Sequence, residues 1–143
     1  MTGCFVLGRG FEYATAREWA LKVKELARVL ADPYSAADFQ HGPLALIEPG
    51  FPVLAVATRG AARPGMAELL QRLRDDYGAD VVAITDDATL PADAVLPMPA
   101  DVPEWLSPIV SIVPGQLFAA HLARARGLDP DAPRHIGKVT LTR

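Results

Sequence analysis

Cysteine is almost absent from this chain, Cys4 being the single one. One thiol closes no intramolecular disulfide and leaves no cysteine set for a structural zinc ion; this is the pattern of a reducing compartment, so a cytoplasmic location is expected. Long apolar runs are missing too. The stretch 51–57 is bounded by proline, glycine and charge, far short of the roughly 20 residues that a membrane helix needs. The first residues have no basic segment leading into an apolar one, so no export signal is read. Nor is one sign of charge in excess: 14 Lys and Arg against 17 Asp and Glu leave a formal net charge of -3, too mild and too mixed for a nucleic-acid or membrane-surface footprint. No Gly-Lys-Ser/Thr loop occurs, and Tyr13 stands where a dinucleotide fingerprint opened by Gly8-Arg9-Gly10 would place its third glycine, which excludes nucleotide and nicotinamide binding.

Apolar side chains, by contrast, are plentiful. They make up 50% of 143 residues, enough to close one core, and a single domain over 1–143 is expected. Their spacing alternates between two periods. A short apolar run at 4–7 ends in Gly8-Arg9-Gly10, and residues 14–31 carry Trp19, Val23, Leu26 and Leu30 at helical spacing, which reads as strand, glycine turn and long helix. A second strand is expected at 52–57. After it Pro64 opens a helix whose apolar stripe is Met66, Leu69, Leu70, Leu73 and Tyr77, with Gly78 as its stop. Residues 80–85 and 94–98 read as further strands, and 104–126 as a helix that Pro114 either kinks or divides, ended by Gly127. Strands rich in Val, Leu and Ile without polar alternation, separated by helices, point to a parallel sheet covered on both faces. Ligands in such sheets sit beyond the carboxyl ends of the strands. Residues 127–143 form a tail, its Asp-Pro and Ala-Pro steps incompatible with a helix.

Four polar features stand out. Gly8-Arg9-Gly10 is either a tight strand-to-helix turn or a loop that brings backbone close to a ligand. Glu18, Lys22 and Glu25, spaced four and three, share one helix face beside the apolar stripe. There they form a solvated ion-pair row, or, if a carboxylate faces a cleft, supply a general base. In the segment Ala-Asp-Phe-Gln-His41-Gly-Pro-Leu-Ala-Leu a histidine sits between an acidic loop and a Gly-Pro break; it is packed, solvated or catalytic according to its partners. Arg134 and Lys138, four apart in the tail, suit an anionic ligand, and a lysine also forms a Schiff base with a sugar carbonyl; the bland alternative is a solvated basic terminus.

Taken in order, Gly8-Arg9-Gly10, the run Glu18-Trp-Ala-Leu-Lys-Val-Lys-Glu25, the His41 segment and Asp-Ala-Pro-Arg134-His-Ile-Gly-Lys138-Val-Thr resemble the second, C-terminal sugar isomerase (SIS) domain of glucosamine-6-phosphate synthase and related phosphosugar isomerases. The resemblance implies an α/β fold, a three-layer αβα sandwich around a five-stranded parallel sheet, acting on hexose 6-phosphates such as fructose 6-phosphate or glucosamine 6-phosphate. It also implies roles. Glu25 corresponds to the base that moves a proton between C1 and C2, His41 to the group that helps open the sugar ring, and Lys138 to the residue that engages the ketose carbonyl. Gly8, Arg9, Gly10, Glu18, Lys22 and Arg134 correspond to substrate-binding or site-arranging positions. Aldose–ketose exchange needs such a base, acid and carbonyl handle, and it requires no metal and no cofactor.

The departures from the family are as informative. The family holds phosphate on a Ser/Thr-rich loop of the first SIS domain, whereas this chain has only Ser35, Ser107 and Ser111, scattered, and reads Ala57-Thr58-Arg59-Gly60 after its second predicted strand. Asp38 stands where the synthase has glutamate, which fits a specialised branch. Cys4 lies inside a strand, so no glutaminase nucleophile is read. The chain is therefore expected to be half of a two-domain unit, completed by a second SIS domain or by homo-oligomerisation, and to lack turnover by itself. The alternative is a non-catalytic sugar-phosphate-binding or dimerisation module.

Overall fold

A computed structural model describes residues 1–134. Five strands form one all-parallel sheet: β1 (Gly3–Gly8), β2 (Leu30–Ser35), β3 (Pro52–Val56), β4 (Asp80–Thr85) and β5 (Ala94–Pro97), in the order β2-β1-β3-β4-β5. The helices are α1 (Glu12–Ala27), the short α2 (Ala36–Phe39), α3 (Arg63–Asp75) and α4 (Ser107–Ala125), with a 3-10 turn at Pro43–Leu46. β1 pairs with β2 from Gly3↔Leu30 to Gly8↔Ser35, and with β3 through Phe5↔Val53.

The period of two along the strands divides the core. Cys4 and Val6 of β1 point with Leu54, Val56 and Ile84 toward α1 and α4, whose Trp19, Ala20, Val23, Ala119 and Ala123 are buried there. Phe5 and Leu7 point the other way with Val53, Ala55 and Val81, onto Phe39 of α2 and Met66, Leu69, Leu70 and Leu73 of α3. The result is the expected αβα sandwich. Close approach of α1 to α4 rests on Gly115, where an added Cβ would stand 3.1 Å from Trp19 Cγ; the indole also meets Phe118 edge-on at 5.4 Å.

Two boundaries differ from the sequence pattern. The first helix ends at Ala27, because Arg28 takes a left-handed conformation (φ 55°), and Leu30, which continued the apolar spacing, is 79% exposed at the start of β2. The helical spacing runs through residue 31 and no strand is expected there; β2 is an edge strand, where Pro33 costs no ladder bond on the open side. The last helix begins at Ser107, leaving Glu104 outside it, and runs unbroken through Pro114 to Ala125. The helix opened by Pro64 ends at Asp75, short of Gly78.

Candidate functional site

The chain steps outward from β1 to β2 and then returns to the opposite side of β1 as β3. The carboxyl ends of β1 and β3 therefore flank a switch point, where an open α/β sheet forms its crevice. Gly8-Arg9-Gly10 lies on its rim. Gly8 has no room for a side chain, since a Cβ would run into the Glu12 carbonyl and stand 3.0 Å from Ala16 Cβ, and Gly10 holds a positive φ of 61°. These two glycines let α1 start directly against the strand end. Arg9 is exposed and lines a cleft with Gly10, Phe11, Ala61, Ala62, Gly65 and Glu104.

Beneath that rim lies a polar cluster that the sequence pattern did not disclose. Glu12 is only 5% exposed. Its Oε2 accepts from Thr15 Oγ1 at 2.6 Å and Ser111 Oγ at 2.7 Å, and its Oε1 accepts from Thr58 Oγ1 at 2.9 Å. Ser107 Oγ, 3.5 Å from Thr58 Oγ1, donates to the Glu104 carbonyl at 2.8 Å. Ser107 and Ser111, scattered in the sequence, are thus gathered by the fold with Thr15 and Thr58, whereas Ser35 stands at the end of β2 outside the cluster. The available signal was faint: Ser107 and Ser111 sit one turn apart on the buried side of α4, and Glu12 and Thr15 on the buried side of α1.

The Glu18, Lys22 and Glu25 row occupies a different place. Lys22 Nζ donates to Glu25 Oε2 at 2.7 Å and lies 3.6 Å from Glu18 Oε1. The side chains are half-buried, Glu18 at 38%, Lys22 at 29% and Glu25 at 26% exposure. The Glu25 hydrogen bond, aided by the nearby Glu18 and Glu25 charges against the opposing effect of burial, raises the Lys22 ammonium above its ordinary value. Two carboxylates and one ammonium leave the row with a net negative charge. From Glu12 to Glu25 the axis of α1 spans about 20 Å at the ordinary helical rise. The glycine turn and Glu25, read together from sequence, are therefore at opposite ends of the helix.

His41 is exposed in the turn that follows α2, its backbone N–H donating to the Asp38 carbonyl at 3.0 Å. Arg134 is exposed at the end of the described chain, and Lys138 lies outside the described residues. No group of three or more metal-ligating His, Cys, Asp or Glu side chains occurs among the described residues, and among them no helix is long and apolar enough to cross a membrane.

Residues 4–126 match the family model described as SIS domain. The chain belongs to the SIS domain family. This SIS domain is 43% identical over 136 residues to the isomerizing glutamine–fructose-6-phosphate aminotransferase of Pyrococcus horikoshii, a match covering 94% of this chain and 22% of that protein. The enzyme of the same name in Mycobacterium tuberculosis is 43% identical over 140 residues, covering 92% of this chain and 22% of that protein. Among solved structures, the C-terminal domain of the Francisella tularensis glucosamine-fructose-6-phosphate aminotransferase superposes with a TM-score of 0.80 at 28% identity, covering 90% of the SIS chain and 37% of that chain. Tagatose-6-phosphate ketose/aldose isomerase from Escherichia coli superposes at 0.75 and 28% identity, covering 94% and 39%. The SIS chain thus spans well under half of each of these proteins.

Proposed function

We propose that this SIS domain binds hexose 6-phosphates, fructose 6-phosphate or glucosamine 6-phosphate among them, and forms the half of an aldose–ketose isomerase site that carries the proton-transfer groups. In this reading Glu25 is the base at C1 and C2, His41 the acid and base at the ring oxygen, and Lys138 the carbonyl handle. Glu18 and Lys22 hold Glu25 in place, and Arg134 sits beside the substrate. The observation that supports it most is the half-buried row on α1. Lys22 binds Glu25 through Oε2 alone, which fixes the carboxylate without spending both oxygens, as a positioned base requires. Names of relatives that include an isomerizing aminotransferase and a ketose/aldose isomerase fit the same chemistry.

The second half of the site comes, in this proposal, from another SIS domain or a second copy of the chain. A groove lined by Ala14, Glu18, Ile109 and Ile112 joins the row to the outer face of α4, so a partner seated on α4 would also cover Glu18 and its neighbours. No cofactor and no metal enters the scheme, and a cytoplasmic setting suits its substrates. The test is Glu25→Gln in the assembled unit, followed by NMR exchange of the C1 and C2 protons with deuterated solvent. Exchange should fall at least about a hundredfold with sugar binding retained. Unchanged exchange would return Glu25 to a plain ion pair.

A further inference from the structure

Buried charges in proteins are paired with opposite charge or bind a ligand that supplies it. Asp86 obeys the first rule: its side chain is 2% exposed and meets Arg59 at 3.5 Å and Arg63 at 3.8 Å. Glu12 is nearly as enclosed, yet its partners are three neutral hydroxyls. The protons of the cluster also fall short. Thr15 Oγ1, Ser111 Oγ and Glu12 Oε2 form a triangle with edges of 2.6, 2.7 and 3.0 Å, and two hydroxyl protons serve three edges. Thr58 has one proton for both Glu12 Oε1 at 2.9 Å and Ser107 Oγ at 3.5 Å, and Ser107 spends its own on the Glu104 carbonyl, so the Ser107 oxygen is left as an underused acceptor. What remains at this spot is acceptor capacity beside a negative charge.

Glu12, Thr58 and Ser107 line a narrow cleft of ≈ 10 Å³, room for a single water-sized group such as an ammonium, which shares Arg9, Phe11, Ala62 and Glu104 with the wider ≈ 490 Å³ cleft at the rim. Arg63 at its edge is bound to Asp86 and Asp87. Arg9 has no ion-pair partner among the described residues, and it reaches over the first turn of α3, where a Cβ on Gly65 would stand 3.3 Å from its Nη1. The crevice therefore offers acceptors and a carboxylate at the floor, and at the rim the Arg9 cation, with the Glu104 carboxylate nearby accepting from the Ala61 N–H at 3.1 Å.

We infer that this switch-point crevice binds a primary amine that also carries an anionic group, an amino-sugar phosphate, with the ammonium on Glu12, Thr58 and Ser107 and the anion on Arg9. The sugar-phosphate part of that description rests on the function proposed above; the amine site rests on the buried cluster alone. Lying about 20 Å along α1 from Glu25, the site is a binding site separate from the isomerase row.

The test titrates the 15N-labelled chain with glucosamine 6-phosphate, glucose 6-phosphate and ammonium chloride, with sodium chloride as the ionic-strength control. Glucosamine 6-phosphate should bind about tenfold tighter than glucose 6-phosphate and shift the amides of Gly10, Thr58, Gly60 and Ala61. Glu12→Gln should bring the two affinities together, and Arg9→Ala should weaken both. Should Glu12→Gln fail to fold, Ser107→Ala, which leaves all three donors of Glu12 in place, should reduce the preference severalfold. Equal affinities in the unaltered chain, a preference untouched by these variants, or shifts confined to Glu18, Lys22, Glu25 and His41 would overturn the amine site while leaving the isomerase reading standing. Shifts at Thr58 and Ser107 with ammonium chloride, but no binding of either sugar phosphate, would support the amine site and sink the sugar-phosphate reading.

Discussion

Cys4 shows how far a core position governs chemistry at the scale of one residue. It is 2% exposed between β2 and β3, and burial pushes its thiol up to about 12, so the reactive thiolate is scarce at neutral pH. Iodoacetamide at pH 7.5 should leave the native chain unmodified for hours and label it within minutes in denaturant; mass spectrometry distinguishes the two. Rapid native labelling would show that β1 opens locally. Glu12 sits at the other extreme, a buried charge kept in place by hydroxyls from α1, α4 and the end of β3. No spacing rule in the sequence joins positions 12, 58, 107 and 111, because only tertiary packing brings those elements together. Residues 18, 22 and 25, by contrast, were legible as a row, since helical geometry alone puts them on one face.

Elements were legible where period and burial agree. The stripe of α3 has Met66, Leu69, Leu70 and Leu73 all buried, and β1, β3 and β4 are apolar on both faces because helices cover both. β2 escaped detection because an edge strand has no need to be apolar throughout, and its Leu30 imitated one more helical turn. One tie between elements makes a pH prediction. Asp93, just ahead of β5, accepts from Arg74 of α3 at 2.8 Å and from the Val81 N–H of β4 at 2.8 Å, which together hold its carboxyl below the usual carboxylate value. A depressed folded-state value contributes stability that is fully present above the unfolded value of 3.8 and is lost as pH falls through the folded one. The melting temperature of Asp93→Asn should therefore lie a few degrees below that of the unaltered chain, by a constant amount between pH 7 and 5, and the gap should close below pH 4. The pair is partly exposed, so its contribution is small. A gap that persists at pH 2.5 would assign the effect to something other than this carboxylate.

For the molecule as a whole, the outer face of α4 matters most. Ile109, Val113 and Leu117 follow one another at four-residue spacing and are 69%, 51% and 57% exposed, with Trp105 at 69% just ahead of them. A continuous apolar stripe of this kind marks an interaction surface. Homo-oligomers are expected in sedimentation at tens of micromolar, and Ile109→Asp should shift the distribution toward monomer with the melting temperature of the monomer nearly unchanged, because the side chain is already in water. A chain that stays monomeric at millimolar concentration would sink that expectation. Activity should follow assembly. Alone, the chain is expected to show no appreciable turnover of fructose 6-phosphate or glucosamine 6-phosphate by NMR, since the Thr15, Thr58 and Ser111 hydroxyls are committed to Glu12 rather than aimed at a phosphate, and unpositioned substrate returns its alignment entropy to the barrier. Robust turnover by the dilute, monomeric chain would show that the site is complete within one copy.

The strand order has a consequence for how the domain is made. Of the five strands β1 is synthesised before the others, yet it lies between β2 and β3, so its β3-facing edge stays unpaired until residues past Val56 have been synthesised. During that interval an apolar strand is open to the wrong neighbour, the condition under which nascent chains misassociate. Ribosome-bound chains arrested before β3 is exposed should therefore be cut readily by protease within residues 3–8 and recruit chaperone, and both signs should disappear together once β3 has left the exit tunnel.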